Sequence, residues 1–194
     1  MLPEQLVIFD LETTDIAESA ALSKPVEIIE VGAIKLGSNF DILGEFSTLV
    51  RPINLDLVTE AVSKLTGLTT SDLDTAPFFT DVWRNFAKFT GFSSFRISSY
   101  STFDVTVLES EYASRGLTFP HKKPTIDILS VVYGSFVSKG ISVNTLSLGS
   151  VCGVLGVSRP KVHRALEDAR AVGHVLKSLY TVKQSAESFT CVGV

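Results

Sequence analysis

Cysteine is scarce in this chain: Cys152 and Cys191 are the only two among 194 residues. Two thiols make no disulfide framework, which excludes the small disulfide-stapled secreted class and makes a reducing, cytoplasmic compartment the expected one. Long apolar runs are missing as well. No uninterrupted stretch approaches the roughly 18 residues that a bilayer-spanning helix needs. The opening Met1-Leu2-Pro3-Glu4 has neither the basic nor the apolar region of a signal peptide, so no membrane partner is expected. Positive charge is not in excess either. Lys and Arg number 17 against 21 Asp and Glu, for a formal net charge of -4, and the pI is about 5.4. A broad basic coat for long nucleic acid is thereby excluded, since such binding rests on phosphate neutralisation. A protein that grips a few nucleotides through metal ions is not excluded. Internal repeats, low-complexity blocks and interdomain linkers are absent. What remains is globular: 45% hydrophobic and 20% charged residues, with a mean hydropathy of +0.31 and enough chain for one sizeable core.

The chain is organised around Val7-Ile8-Phe9-Asp10-Leu11-Glu12-Thr13-Thr14. The apolar residues Leu6 to Phe9 and Leu11 read as a buried strand. Side chains alternate across a strand, which puts Asp10 and Glu12 on one face, about 7 Å apart. Two anions that close at the end of a buried strand stay ionised only beside something cationic, and a hard divalent ion with oxygen ligands suits them. An isolated Asp-x-Glu is equally well a solvated acidic turn, so partners downstream must decide.

The rest of the chain alternates strands and helices. Asp15 to Lys24 reads as a loop, Val26 to Leu36 as a second strand and about Gly44 to Val50 as a third, together an antiparallel meander. Leu57 to Leu65 reads as a short helix closed by Gly67. Thr75 is the expected N-cap of a helix with Pro77 just inside, whose Phe79, Val82, Trp83, Phe86 and Phe89 recur at helical spacing. That aromatic stripe reads as core, not as a platform for bases. Phe95 to Ser99 is a strand, about Phe103 to Arg115 a helix, Thr125 to Tyr133 a brief strand or helix entry, Asn144 to Leu155 a helix, and about Arg164 to Tyr180 the last helix. The pattern predicts an α/β fold with a mixed sheet flanked by helices. Residues 1–182 are expected to form one domain, with 183–194 a flexible tail.

Three more polar residues attend the helices. Asp168 borders the apolar stripe Ala165, Ala169, Val172, Leu176 and Leu179, where a carboxylate costs free energy unless paired or bound to metal. His163 falls in the loop just before that helix. Asp104 follows Phe103 at the start of an earlier helix. Singly, each acid is also a first-turn residue favoured by the helix dipole, and His163 a solvated loop histidine. Arg159, Lys161 and Arg164 make a local excess of positive charge that steers phosphate, or else an ordinary solvated loop. His121 and His174 lack a partner pattern, and Asp127, Glu167 and Glu109 are not expected to be ligands. Cys152 reads as a core residue.

In order and spacing, Asp10-x-Glu12, the Phe103-Asp104 pair and His163-x4-Asp168 resemble the DEDDh 3′→5′ exonucleases, the family of the proofreading epsilon subunit, RNase T, oligoribonuclease and the histone-mRNA exonucleases. Glu27 to Ala33, Val50-Arg51-Pro52 and Leu65 to Leu68 are similar to further segments of that family, so the resemblance spans about Val7 to Leu179. It implies a ribonuclease H-like fold and release of nucleoside monophosphates from single-stranded DNA or RNA 3′ ends. It implies that Asp10, Glu12, Asp104 and Asp168 hold two Mg²⁺ or Mn²⁺ ions and that His163 is the general base, a role suited to an imidazole. It further implies that Leu11, Thr13, Thr66, Gly67, Leu68 and Phe103 contact the terminal nucleotide. One departure stands out: many relatives carry His-Asn shortly before the middle aspartate, where this chain has Tyr100-Ser101. A polymerase-type partner, a homodimer and a non-catalytic nucleic-acid adaptor remain alternatives, the last disfavoured because a pure binder gains nothing from clustered carboxylates.

Overall fold

A computed structural model describes residues 5–91, 95–119, 124–160 and 163–181. The expected tail, together with Lys161, His121 and Cys191, lies outside the described residues. Strand β1 (Gln5–Thr13) lies in the middle of a five-stranded sheet whose order is β3-β2-β1-β4-β5. The partners are β2 (Ile28–Leu36), β3 (Ile42–Leu49), β4 (Phe95–Ser99) and the two-residue β5 (Ile126–Asp127). β1, β2 and β3 form the expected antiparallel meander, while β4 and β5 run parallel to β1. Among the described residues, eight α-helices accompany the sheet: α1 (Ile16–Ala21), α2 (Glu60–Thr66), α3 (Thr70–Asp74), α4 (Phe79–Thr90), α5 (Thr102–Ser114), α6 (Ile128–Ser138), α7 (Leu148–Leu155) and α8 (Ala165–Thr181). The mixed α/β class predicted from the pattern is the class observed. No helix among the described residues is long and apolar enough to cross a membrane.

Strand alternation divides the core. Leu6 and Ile8 of β1 pack with Val132 and Phe136 of α6, Val151 and Cys152 of α7, and Ala169, Val172 and Leu176 of α8. Val7, Phe9 and Leu11 face the opposite side, against Phe79, Val82, Trp83 and Phe86 of α4 and Val107, Leu108 and Tyr112 of α5. The aromatic stripe is therefore core, as its spacing predicted, with Trp83 stacked on Phe79 and Phe86. Cys152 is core too. A third cluster joins Ile29 to Val58, Val62, Leu68 and Leu73.

Several boundaries differ from the sequence reading, each for a local reason. The loop expected over Asp15 to Lys24 contains α1, capped by the Asp15 carboxylate, which accepts from the Glu18 N–H at 3.1 Å. The short helix starts at Glu60, where the Thr59 hydroxyl accepts from the Val62 N–H, and stops at Gly67 in the left-handed region (φ 75°) as expected. Thr75 does not cap α4; it closes α3, a helix set by a reciprocal capping box between Thr69 and Asp72. The Pro77 carbonyl accepts from the Arg51 N–H at 2.9 Å, holding the chain extended beside Arg51 so that α4 begins only at Phe79. The Asp127 carboxylate caps α6, making the expected brief segment a full helix. The helix expected from Asn144 starts at Leu148, behind the Ser147 cap.

Candidate active site

The same alternation that buries Leu6 and Ile8 against α8 carries Asp10 and Glu12 onto that face, at the C-terminal end of β1. Asp10 stays half-buried, whereas Glu12 is 7% exposed. β4 runs parallel to β1, so its C-terminal end, and the N-terminus of α5 that follows, lie beside the same rim. Asp104, in the first turn of α5, reaches across and accepts from the Leu11 N–H at 3.2 Å. α8 brings the last acid. Its N-terminus rests on β2 at Gly32, where a Cβ would lie 2.0 Å from the Leu166 nitrogen and 2.1 Å from the Ala165 carbonyl carbon. Only a glycine lets helix and strand backbones meet this closely. The contact sets Asp168, buried in the first turn of α8, over the β1 rim.

His163 stands just before α8 with φ 58°, a left-handed conformation uncommon outside glycine, asparagine, aspartate and histidine. Its N–H donates to Asp168 Oδ2 at 3.3 Å. One ligand atom each of Glu12, His163 and Asp168 lies within 4.8 Å of the others. Glu30, paired with Glu12 across β1 and β2, accepts from the Arg164 guanidinium at 2.8–3.2 Å and from the Ala165 N–H at 3.2 Å. This fork, on a buried Glu30 carboxylate, pins the residue after His163 to the sheet.

The electrostatics follow from this crowding. Burial first, then the charges of Asp104, Asp168 and Glu12, push the Asp10 carboxyl well above its ordinary value, against a lowering by Arg159. Glu12 is pushed up to about 8, mainly by burial and then by Asp168, Glu30 and Asp104. Asp104 is pushed up to about 6 by burial, with the Leu11 N–H opposing the shift. Hard oxygen donors that resist ionising together form a donor set that fits divalent cations, whose charge removes the repulsion. The first turns of α5 and α8 add the positive ends of their dipoles.

Residues 7–176 match the RNase T exonuclease family. The chain belongs to that family. This exonuclease is 31% identical over 184 residues to the protein NEN4 of Arabidopsis thaliana, covering 93% of the chain and 68% of that protein. It is 30% identical over 175 residues to a PolC-type DNA polymerase III of Clostridium perfringens, covering 90% of the chain but 11% of the polymerase. The fold matches the nuclease domain of 3′hExo, a DEDDh family member bound to rAMP, with a TM-score of 0.76, 24% identity and 90% of both chains covered. It also matches Escherichia coli exonuclease I in complex with a dT13 oligonucleotide (TM-score 0.75, 16% identity), over 92% of this chain and 41% of that one.

In the exonuclease, Phe103 in the first turn of α5 is 41% exposed, and Thr13 at the C-terminal end of β1 is half-buried. Gly67 is exposed. Thr66 and Leu68 are engaged internally: the Thr66 hydroxyl donates to the Val62 carbonyl and accepts from the Leu68 N–H, and the Leu68 side chain lies in the third core cluster. Leu68 thus packs inward, whereas the resemblance implied that it contacts the terminal nucleotide. Among the described residues, the positive charge around His163 is also not free. Arg164 is held by Glu30 and Arg159 by Asp168.

The Arg159 and Glu30 partnerships were not read from the sequence. The only signal was the density of basic residues immediately before an acid that needs a partner. Asp127 and Glu167 have other duties, as a helix cap and as the partner of Arg170, and Glu109 is exposed.

Proposed function

We propose that this exonuclease removes nucleoside monophosphates one at a time from single-stranded DNA or RNA 3′ ends, with Asp10, Glu12, Asp104 and Asp168 as ligands of two Mg²⁺ or Mn²⁺ ions. The observation that carries the reading is the meeting of these four acids and His163 at one end of the sheet, from segments far apart in sequence. Bound divalent cations supply water activation and neutralise the leaving 3′ oxygen. The chain's own residues do the rest. The His163 imidazole takes the proton of the attacking water, and the Glu30–Arg164 fork holds the His163 backbone in its left-handed turn. Phe103 offers an exposed aromatic face to the terminal base, while Thr13 and the backbone of the Thr66-Gly67-Leu68 turn, exposed at Gly67, line the approach. The low cysteine content supports a reducing, cytoplasmic setting.

The PolC-type relatives support a second reading, in which such a domain works within or beside a polymerase. Digestion of matched 5′-labelled DNA and RNA oligonucleotides, single- and double-stranded, with Mg²⁺, Mn²⁺ or EDTA tests the proposal. A descending ladder from the 3′ end of single strands, lost in EDTA, is the expected result. Cleavage from the 5′ end, or equal activity in EDTA, refutes it. Activity that appears only on adding a polymerase selects the second reading.

A further inference from the structure

We propose that Arg159 is a built-in counterion of the carboxylate cage, seated on Asp168 and displaced from it when divalent cations bind; the inference rests on the metal-dependent reading above. The seat is well formed. Arg159 Nε donates to Asp168 Oδ1 at 2.6 Å and its terminal NH2 to Oδ2 at 2.5 Å, a two-point fork. Both partners are shielded, the Arg159 side chain being 16% and the Asp168 side chain 5% exposed.

The occupancy of Asp168 makes the two cations exclusive. An ionised carboxylate offers about four lone-pair directions. Two accept from Arg159 and a third from the His163 N–H. About one direction is left, on a carboxylate whose charge the guanidinium already neutralises. A metal ion that takes Asp168 as a full ligand competes with the fork for the same two oxygens.

The rest of the cage explains why the chain carries such a residue. Asp10, Glu12 and Asp104 crowd this corner with Asp168, and the Arg159 charge eases the ionisation of Asp10 and Glu12. Arg164, the other nearby guanidinium, is engaged by Glu30. Arg159 is mounted on the connection after α7, three residues beyond Gly156 in the left-handed region (φ 65°), not on a strand or helix. The outer side of that connection borders a groove of about 500 Å³ lined by Val157, Ser158, Pro160, Glu167 and His174. Val157 anchors the start of that connection on the core, and its N–H donates to the Cys152 carbonyl at 2.9 Å, so the displacement is one of the Arg159 side chain. Arginine suits the task because its planar fork matches a carboxylate, whereas a lysine ammonium makes a point contact.

The test combines metal binding with a direct view of the guanidinium, in the full chain. Mg²⁺ and Mn²⁺ affinities are measured by calorimetry for wild type, Arg159→Lys and Arg159→Gln. The Arg Nε–H resonances of the wild type are followed by NMR during Mg²⁺ titration, the Arg159 peak being the one absent in Arg159→Lys. Losing a fork to a charged partner should tighten metal binding about 10- to 100-fold in Arg159→Gln, with Arg159→Lys in between. The Arg159 peak should lose its protection as the metal saturates. Equal or weaker affinity in Arg159→Gln overturns the proposal, and so does a peak unmoved at saturation. Arg159→Lys matching wild type while Arg159→Gln binds tighter also overturns it, because charge alone would then act without a fork to displace. The NMR arm needs only folded wild type, so a variant that fails to fold leaves the proposal testable. Absence of metal binding in every form is a distinct result that removes the metal-dependent reading itself.

Discussion

Glu12→Gln should stabilise the metal-free protein at neutral and higher pH. Glu12 is 7% exposed and its carboxyl is pushed from 4.5 to about 8. Between those values the folded chain holds a proton that the unfolded chain has released. The stability associated with that proton is fully present on the acid side and is lost as pH rises through this window. The loss amounts to at most about 1.4 kcal/mol per pH unit, or about 5 kcal/mol across it. Asp10 and Asp104 share the same repulsion, so neutralising one member recovers only part of the loss. Roughly 2–3 kcal/mol is expected, or roughly 5–10 °C in Tm for a chain of this length. Gln keeps the shape of Glu, so no cavity confuses the comparison. The assay is thermal and urea unfolding in EDTA at about pH 5, about pH 7 and about pH 8.5. The wild-type and variant curves should nearly coincide at the acid end and separate upward for the variant at the alkaline end. Added Mg²⁺ should stabilise wild type more at the higher pH, because metal and protons compete for the same oxygens, and should do much less for Glu12→Gln. Parallel pH dependence of the two proteins in EDTA, or a less stable variant at the alkaline end, would refute the reasoning.

The remaining expectations concern individual contacts. Asp10→Ala should abolish nucleotide release while keeping the fold; Asp168→Ala should abolish it too but also cost about 3–5 kcal/mol, because Arg159 is left buried without its carboxylate. Single-nucleotide release and melting curves check both, and activity retained in either variant would remove that acid from the ligand set. Glu30→Gln should lower kcat by at least about tenfold with KM and metal affinity little changed, since it loosens His163 and leaves the cage intact; a change confined to KM would refute the positioning role. Gly32→Ala should destabilise the protein by more than about 3 kcal/mol, because its Cβ must displace the α8 backbone, and a Tm equal to wild type would refute the close contact.

Much of the site was legible because it lies where two periodicities intersect. The strand period placed Asp10 and Glu12 on one face, and the helix period placed Asp168 at the border of the α8 stripe. Spacing said nothing of Arg159 and Asp168, because their meeting depends on how the connection after α7 turns. Nor did it reveal α1 or α3, short helices fixed by the Asp15 cap and the Thr69–Asp72 capping box more than by apolar periodicity. Thr75 and Pro77 looked like a helix start by residue type, but the backbone bond from Arg51 to Pro77 decided otherwise. Leu68 followed a motif resemblance toward the substrate, yet an apolar side chain within reach of Ile29 and Leu73 is buried by ordinary hydrophobic packing.

The bond from Leu11 to Asp104 spans 93 positions of sequence, and that from Ala165 to Glu30 spans 135. No fragment lacking either end can assemble the catalytic corner. The catalytic corner therefore forms only where the crossover to β4 has closed and α8 has docked. The site is thus a property of the whole sheet and its last helix together, not of any one segment.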